Sequence, residues 1–155
     1  MPDRPADERR PVDAHRPAAD GQAKAKAKAD ADPCPCRSRR PFDECCGPAL
    51  AGAATPPTAE ALMRSRFTAY ARGDVDHVLR TWHPRTRPAD LVLDDDLAWV
   101  ALQIVSATDG GPDDPVGTVH FRASYRSPTG RGVLEETSRF ERVDGEWRYV
   151  DGDVR

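Results

Sequence analysis

No stretch of this sequence approaches the roughly 20 consecutive apolar residues that a membrane-spanning helix requires, and its first residues, MPDRPADERRPVDAHRP, lack the apolar core of a secretory signal. The cytoplasm is therefore the expected location. A large charge of one sign is missing as well. Acidic and basic residues are interspersed and the formal net charge is −3, so no field favours nucleic acid or an anionic membrane surface. From Met1 to Asp32 branched aliphatic and aromatic residues are almost absent, and the run from Gln22 to Asp32 alternates Ala with Lys or Asp. Nothing there offsets the entropy of ordering, so residues 1–32 read as a disordered, solvated tail. Recognised catalytic signatures are missing too: there is no nucleotide loop, no Ser-His-Asp series and no HExxH.

What is present starts with four cysteines in two close pairs, Cys34 and Cys36, then Cys45 and Cys46, in a segment spanning 33–48. Reduced thiols are expected in the cytoplasm, which favours metal ligation or redox chemistry over structural disulfides. Adjacent Cα atoms lie about 3.8 Å apart, whereas a disulfide needs about 4.4 to 6.8 Å, so a Cys45–Cys46 bond would be strained. Around zinc, with Zn–S near 2.3 Å, tetrahedral geometry separates sulfurs by roughly 3.8 Å, which neighbouring residues can supply on an irregular backbone such as Gly47 and Pro48 permit. Four thiolates close the coordination sphere, the arrangement of structural rather than catalytic zinc. A segment this short has no apolar core of its own, so zinc is expected to supply its folding free energy. Reactive thiols in non-CxxC spacing and a Cys34–Cys45 type disulfide are the competing readings. Arg37, Arg39 and Arg40 beside the thiols would favour thiolate in either the metal or the redox case.

After a proline-broken loop, Thr58 can cap a helix in which Leu62, Met63, Phe67 and Tyr70 recur at helical spacing until Gly73. Asp74 can cap a second helix with Val75, Val78, Leu79 and Trp82 along one side, ending before Pro84; this places His77 on its exposed face and His83 at its end. The period then changes to that of strands: Leu97 to Thr108, Val116 to Arg126, Gly132 to Val143 and Glu146 to Asp151, the last two joined by the hairpin signal Asp144-Gly145. In the first of these, Trp99, Ala101, Gln103 and Val105 alternate against Val100, Leu102 and Ile104. The fold class is thus α+β over residues 56–153, a helix hairpin packed across one side of a curved four-stranded antiparallel sheet.

Alternation puts Leu134, Glu136, Ser138 and Phe140 on one face of the third strand. If that face is concave, Glu136 becomes a partly buried carboxylate and a candidate general acid or base, with Tyr70, His83, His120 and Arg122 as possible neighbours. Tyr70, Glu136, Ser138 and Phe140 would then line a pocket. The plainer reading pairs Glu136 with Arg64 or Arg66 and treats Ser138 as a small polar filler; Trp147 and Tyr149 read as core aromatics.

The run CPCRSRRPFDECCG resembles the SEC-C motif, a small zinc-binding unit also found at the C-terminus of the preprotein translocase ATPase, with Arg37 and Arg39 replacing two glycines of the typical pattern. Any left-handed geometry those glycines serve would be strained by arginine. Downstream, ALMRSRFTAY, TWHP, the E-x-SRF block and G-x-W-x-YVDG are similar to the YchJ family. The resemblance implies an SEC-C knuckle ahead of a nuclear-transport-factor-2-like (NTF2-like) cone, and some members carry a second knuckle at the C-terminus, which these residues do not contain. It implies no reaction, and that fold hosts enzymes, binders and adaptors alike. The expected function is a non-enzymatic module with a structural zinc site of four cysteines that recruits a protein partner beside Arg37, Arg39 and Arg40. The alternative is a small-molecule binder or enzyme using the cone, with Glu136 in an acid–base role. RNA contact through the tail and knuckle ranks below both.

Overall fold

The computed structural model describes residues 32–155; the expectation of a solvated tail therefore lies outside the described residues, apart from Asp32. A 3₁₀ turn at Phe42–Glu44 leads into the single-turn α1 (Gly47–Leu50), then α2 (Ala59–Arg72), α3 (Val75–Arg80), β1 (Ala98–Asp109), β2 (Val116–Ser127), β3 (Gly130–Val143) and β4 (Glu146–Val154). The local signals act as read. Thr58 accepts from Ala61 N at 3.0 Å, Asp74 accepts from His77 N at 3.0 Å, and Gly73 ends α2 with φ 75°. Asp144 and Gly145, at φ 52° and 83°, turn β3 into β4.

The four strands pair antiparallel in the order β1-β2-β3-β4, and α2 lies across the inner face against β1, β2 and β4. Leu62, Phe67, Val119, Phe121, Phe140 and Trp147 form the centre of the core. The link from α3 is sewn onto β4 by Tyr149 N to Thr81 O (2.9 Å) and His83 N to Tyr149 O (2.7 Å). Because Trp82 leaves the helix to make this bridge, α3 stops at Arg80 rather than reaching Pro84. β4 runs past Asp151 to Val154, still paired with β3 beyond a bulge at Arg139/Phe140. No helix of the described residues is long and apolar enough to cross a membrane.

Two expectations about side-chain direction are corrected. Strict alternation sets Trp99 opposite Leu102 and Ile104, but a bulge between Trp99 and Ala101 returns Trp99 to the inner face, 6.4 Å from the Phe67 ring. His77, expected in solvent, is 1% exposed. Its Nδ1 accepts from Arg80 Nη2 (2.9 Å), while Nε2–H donates to Ser65 Oγ (2.9 Å), which in turn donates to Leu62 O (2.8 Å). This chain of donors assigns a neutral imidazole.

Burial, reinforced by the Arg80 charge, pushes His77 down to about 4 from 6.5. The unfolded chain thus binds more protons in that window, so the stability contributed by neutral His77 is present above pH 6.5 and lost as pH falls towards 4, on the order of 2 kcal/mol. Thermal unfolding of wild type and His77→Gln across this range checks it. The wild type should decline more steeply, and parallel curves would remove His77 as the cause.

Candidate functional site

Each half of the cysteine segment shapes its own pair of thiols. Cys34 N donates to Arg40 O (2.9 Å) and Phe42 N to Asp32 O (2.8 Å), closing a small loop around Cys36, while Cys45 N donates to Phe42 O (3.1 Å) at the end of the 3₁₀ turn. Cys46 then takes the N-cap position of α1 without a side-chain capping bond, and Pro48 sits in the first turn. The loop requires the left-handed backbone twice, at Arg37 (φ 63°) and Arg39 (φ 71°). The concern raised by the two missing glycines is therefore real: an L-residue there costs about 1–2 kcal/mol. Arg39→Gly is expected to stabilise the protein by about 1 kcal/mol, after allowing for glycine's looser unfolded chain. Arg37→Gly should yield less, because it forfeits the bond from Arg37 Nε to Val100 O (3.3 Å). Denaturant midpoints decide, and a less stable Arg39→Gly would contradict the backbone account.

The four Sγ atoms lie within 4.8 Å of one another, with Cys36–Cys45 at 3.6 Å and Cys45–Cys46 at 3.9 Å. All four cysteines are free. These separations are far from the roughly 2.05 Å of a disulfide and close to the edge of a tetrahedron around a thiolate-bound ion. The donor set fits a metal on charge grounds as well. Cys46 is pushed up by its neighbours Cys34 and Cys36 and by burial, and Cys45 by burial, whereas hydrogen bonds from Cys34 and Cys46 hold Cys36 down. Four adjacent thiols cannot all ionise unaided, and a cation removes that conflict. Ser38 Oγ accepts from Arg40 N (3.2 Å) and donates to Cys45 Sγ (3.0 Å), fixing the most exposed of the four sulfurs.

The expectation that this segment lacks a core is overturned by how it packs. Cys34, Cys36 and Cys46 are buried in the same apolar cluster as Leu62, Phe67 and Trp147. Three helix arginines clamp it in place: Arg64 Nη1 donates to Cys36 O (3.1 Å), Arg72 lies 3.6 Å from the Phe42 ring centre, and Arg80 Nη2 donates to Leu50 O (2.7 Å). Residues so far apart in the chain offer no periodic signal, which is why sequence reasoning missed these arginines.

A second feature is a half-open cavity of ≈ 210 Å³ between α2 and the inner sheet face. Tyr70, Glu136 and Ser138 line it, whereas Phe140 is buried beside it with its ring 5.9 Å from Tyr149. Glu136 Oε1 accepts from Ser138 Oγ (2.8 Å) and Tyr149 OH (3.0 Å). Gly152 on β4 leaves room for that carboxylate, since a Cβ there would sit 1.9 Å from Oε1. The ion pair imagined between Glu136 and Arg64 or Arg66 is not formed among the described residues; Arg64 engages Glu60 instead (3.2 Å). Sequence reasoning also missed Arg66 as a wall of this cavity. Arg66 is 3% exposed, donates from Nη1 to Val78 O and Thr81 Oγ1 (both 2.8 Å), and packs on the rings of Tyr149 and Trp82. Burial lowers it to about 10, so it stays charged at neutral pH.

The two histidines considered with Glu136 are not brought to it. His120 is on the opposite sheet face, where its Nε2 meets Glu135 Oε1 at 2.7 Å; that bond, with one from Arg122, holds the Glu135 carboxyl below its usual range. His83 lies in the segment between α3 and β1, with Nε2 3.4 Å from Glu141.

Comparison with known proteins agrees with this architecture. Residues 58–152 match the family model of the YchJ middle NTF2-like domain and residues 31–48 that of the SEC-C motif. A UPF0225 protein of Streptomyces coelicolor is 54% identical over 112 residues, covering 72% of this chain and 87% of its own. A UPF0225 protein of Corynebacterium efficiens is 50% identical over 113 residues, covering 73% and 86%. The solution structure of an SEC-C motif containing protein from Rhodopseudomonas palustris superposes with a TM-score of 0.71 at 30% identity, over 80% of this chain and 99% of that one. The crystal structure of an SEC-C motif containing protein from Psychrobacter arcticus, 22% identical with a TM-score of 0.65 over 83% and 84%, shares the fold. With its cysteine cluster at the motif and its helices on a four-stranded sheet at the domain, the chain belongs to the YchJ (UPF0225) family of SEC-C proteins.

Proposed function

We propose that Cys34, Cys36, Cys45 and Cys46 hold one structural zinc ion in a non-enzymatic module of a reducing compartment such as the cytoplasm. The observation that carries this reading is a closed set of four sulfurs, three of them buried in the domain core. All-sulfur tetrahedral donors select zinc among the divalent ions of the cell, and a full thiolate set leaves no position for substrate. The metal would supply folding free energy, not chemistry. The separation of His83 and His120 from Glu136 supports a non-catalytic role. The function then rests on the surface that the centre makes rigid: Arg37, Arg39 and Arg40 line it on the outside and would meet an acidic face of a protein partner.

Metal content per chain, measured after purification without chelator, tests the centre. One zinc is expected in the wild type and none in Cys45→Ser. Oxidised or freely titrating thiols without metal would turn the reading to redox chemistry. Capture of a partner should weaken in Arg39→Glu, whose metal content stays at one; unchanged capture would leave the centre standing and remove the arginine surface.

A further inference from the structure

The cavity beneath α2 is built unlike a leftover packing defect, because its walls bring together two opposite charges that do not pair. Arg66 makes both its hydrogen bonds from Nη1, to neutral acceptors, leaving Nε and Nη2 without a protein acceptor among the described residues. Glu136 makes both of its from Oε1, leaving Oε2 open. Glu136 is near enough to favour the charged form of Arg66 electrostatically, yet the two form no ion pair among the described residues. Buried charges are ordinarily paired, since leaving them apart in an apolar surround is costly. Here Gly152 and Tyr149 hold the carboxylate on the sheet, while Thr81 and Val78 hold the guanidinium against the helix side. Around them the walls are flat and apolar, with Phe67, Trp99 and Phe121; Trp82 Nε1 lies buried behind this surface, without a partner among the described residues. The wall thus carries Arg66 donors in excess of the acceptors that the described residues supply.

We propose that this cavity binds a small, neutral, planar molecule that presents a carbonyl oxygen to Arg66 and an N–H to Glu136, the chemistry of a cyclic or aromatic amide. The two wall charges oppose each other, so an anion is repelled by Glu136 and a cation by Arg66, whereas an amide dipole satisfies both. Aromatic walls suit a ring. Size agrees: a cavity of about 150 Å³ with apolar walls accepts benzene, so ≈ 210 Å³ takes one ring with a substituent. The site is separate from the cysteine centre, and its occupancy does not depend on the zinc reading.

Full-length protein, titrated with nicotinamide, benzoate and benzylamine and followed by amide and indole NMR shifts, tests this. Nicotinamide is expected to shift the Trp82 and Trp99 indole signals with Kd on the order of 1 mM, the affinity so few atoms can give. Benzoate and benzylamine should bind at least about tenfold more weakly, a difference of about 1.4 kcal/mol. Glu136→Gln, which keeps an oxygen for Ser138 and Tyr149, leaves Arg66 unopposed and should reverse the preference towards benzoate. An unchanged order in Glu136→Gln, or benzoate matching nicotinamide in the wild type, would overturn the proposal. So would silence of both indoles to all three probes, which would mean a cavity filled by water alone.

Discussion

Cys46→Ser is expected to abolish metal retention and to lower the melting temperature by on the order of 15 °C, corresponding to about 4 kcal/mol or more. The size of the effect follows from where the sulfur sits. Cys46 is buried and shares an apolar cluster with the domain core, so on the proposed zinc reading the variant removes a ligand and also places a hydroxyl among apolar neighbours. Structural zinc contributes roughly 10–16 kcal/mol in isolated knuckles, more than the net stability of most domains. The loss expected here is smaller than that full amount, because the apolar core and the clamps from Arg64, Arg72 and Arg80 hold the segment independently of any bound ion. Chelation of the wild type should reproduce most of the shift, and calorimetry with metal analysis on both proteins checks it. Metal retained at full stoichiometry in Cys46→Ser, with an unmoved transition, would contradict the assignment of all four cysteines as ligands.

Trp147→Ala is expected to cost about 3–5 kcal/mol. The indole is 1% exposed and ties together three parts of the chain: the loop before α2, the core and the β1–β2 loop. Its Nε1 donates to Pro57 O at 3.2 Å, fixing the loop before α2, its ring fills the core with Phe140, and Arg142 stacks 4.4 Å above it. That arginine in turn binds Gly111, Pro112 and Asp114 carbonyls in the β1–β2 loop. The truncation therefore opens a cavity and leaves the Pro57 carbonyl unpaired, two costs that add. Equilibrium denaturation gives the value. Trp147→Phe should recover more than half of it, which separates packing from the lost hydrogen bond, and a loss below about 1 kcal/mol in the alanine variant would show that the core closes around the gap.

The features legible in the chain are those decided within a few residues. Thr58 and Asp74 as caps, Gly73 as a stop and Asp144-Gly145 as a turn depend on local hydrogen bonds and backbone preference, and each stands where the pattern puts it. The same holds for the cysteine pairs, since two short spacings help to bring four sulfurs within 4.8 Å of one another. Even the strain at Arg37 and Arg39 was foreseeable from the residue type at two loop positions. Glu136, Ser138 and Tyr70 were identifiable as a facing set because a strand alternates and a helix repeats.

Side-chain environment is another matter, because it depends on elements that meet across tens of residues. One extra residue at a bulge turns Trp99 inward, and nothing in the local pattern of β1 marks it. His77 is buried because Ser65 and Arg80 satisfy both its nitrogens, a condition no single helix face reveals. Arg66 and Glu136 stand apart across a cavity because Thr81, Tyr149 and Gly152 position them from three other segments. The amino-acid sequence alone determined the caps, turns, strand order and cysteine spacing, all of which are short-range. Only the tertiary structure decided that the cysteine centre lies inside the core and that two charges face a cavity unpaired, since burial and solvation arise when distant parts of the chain exclude water from one another.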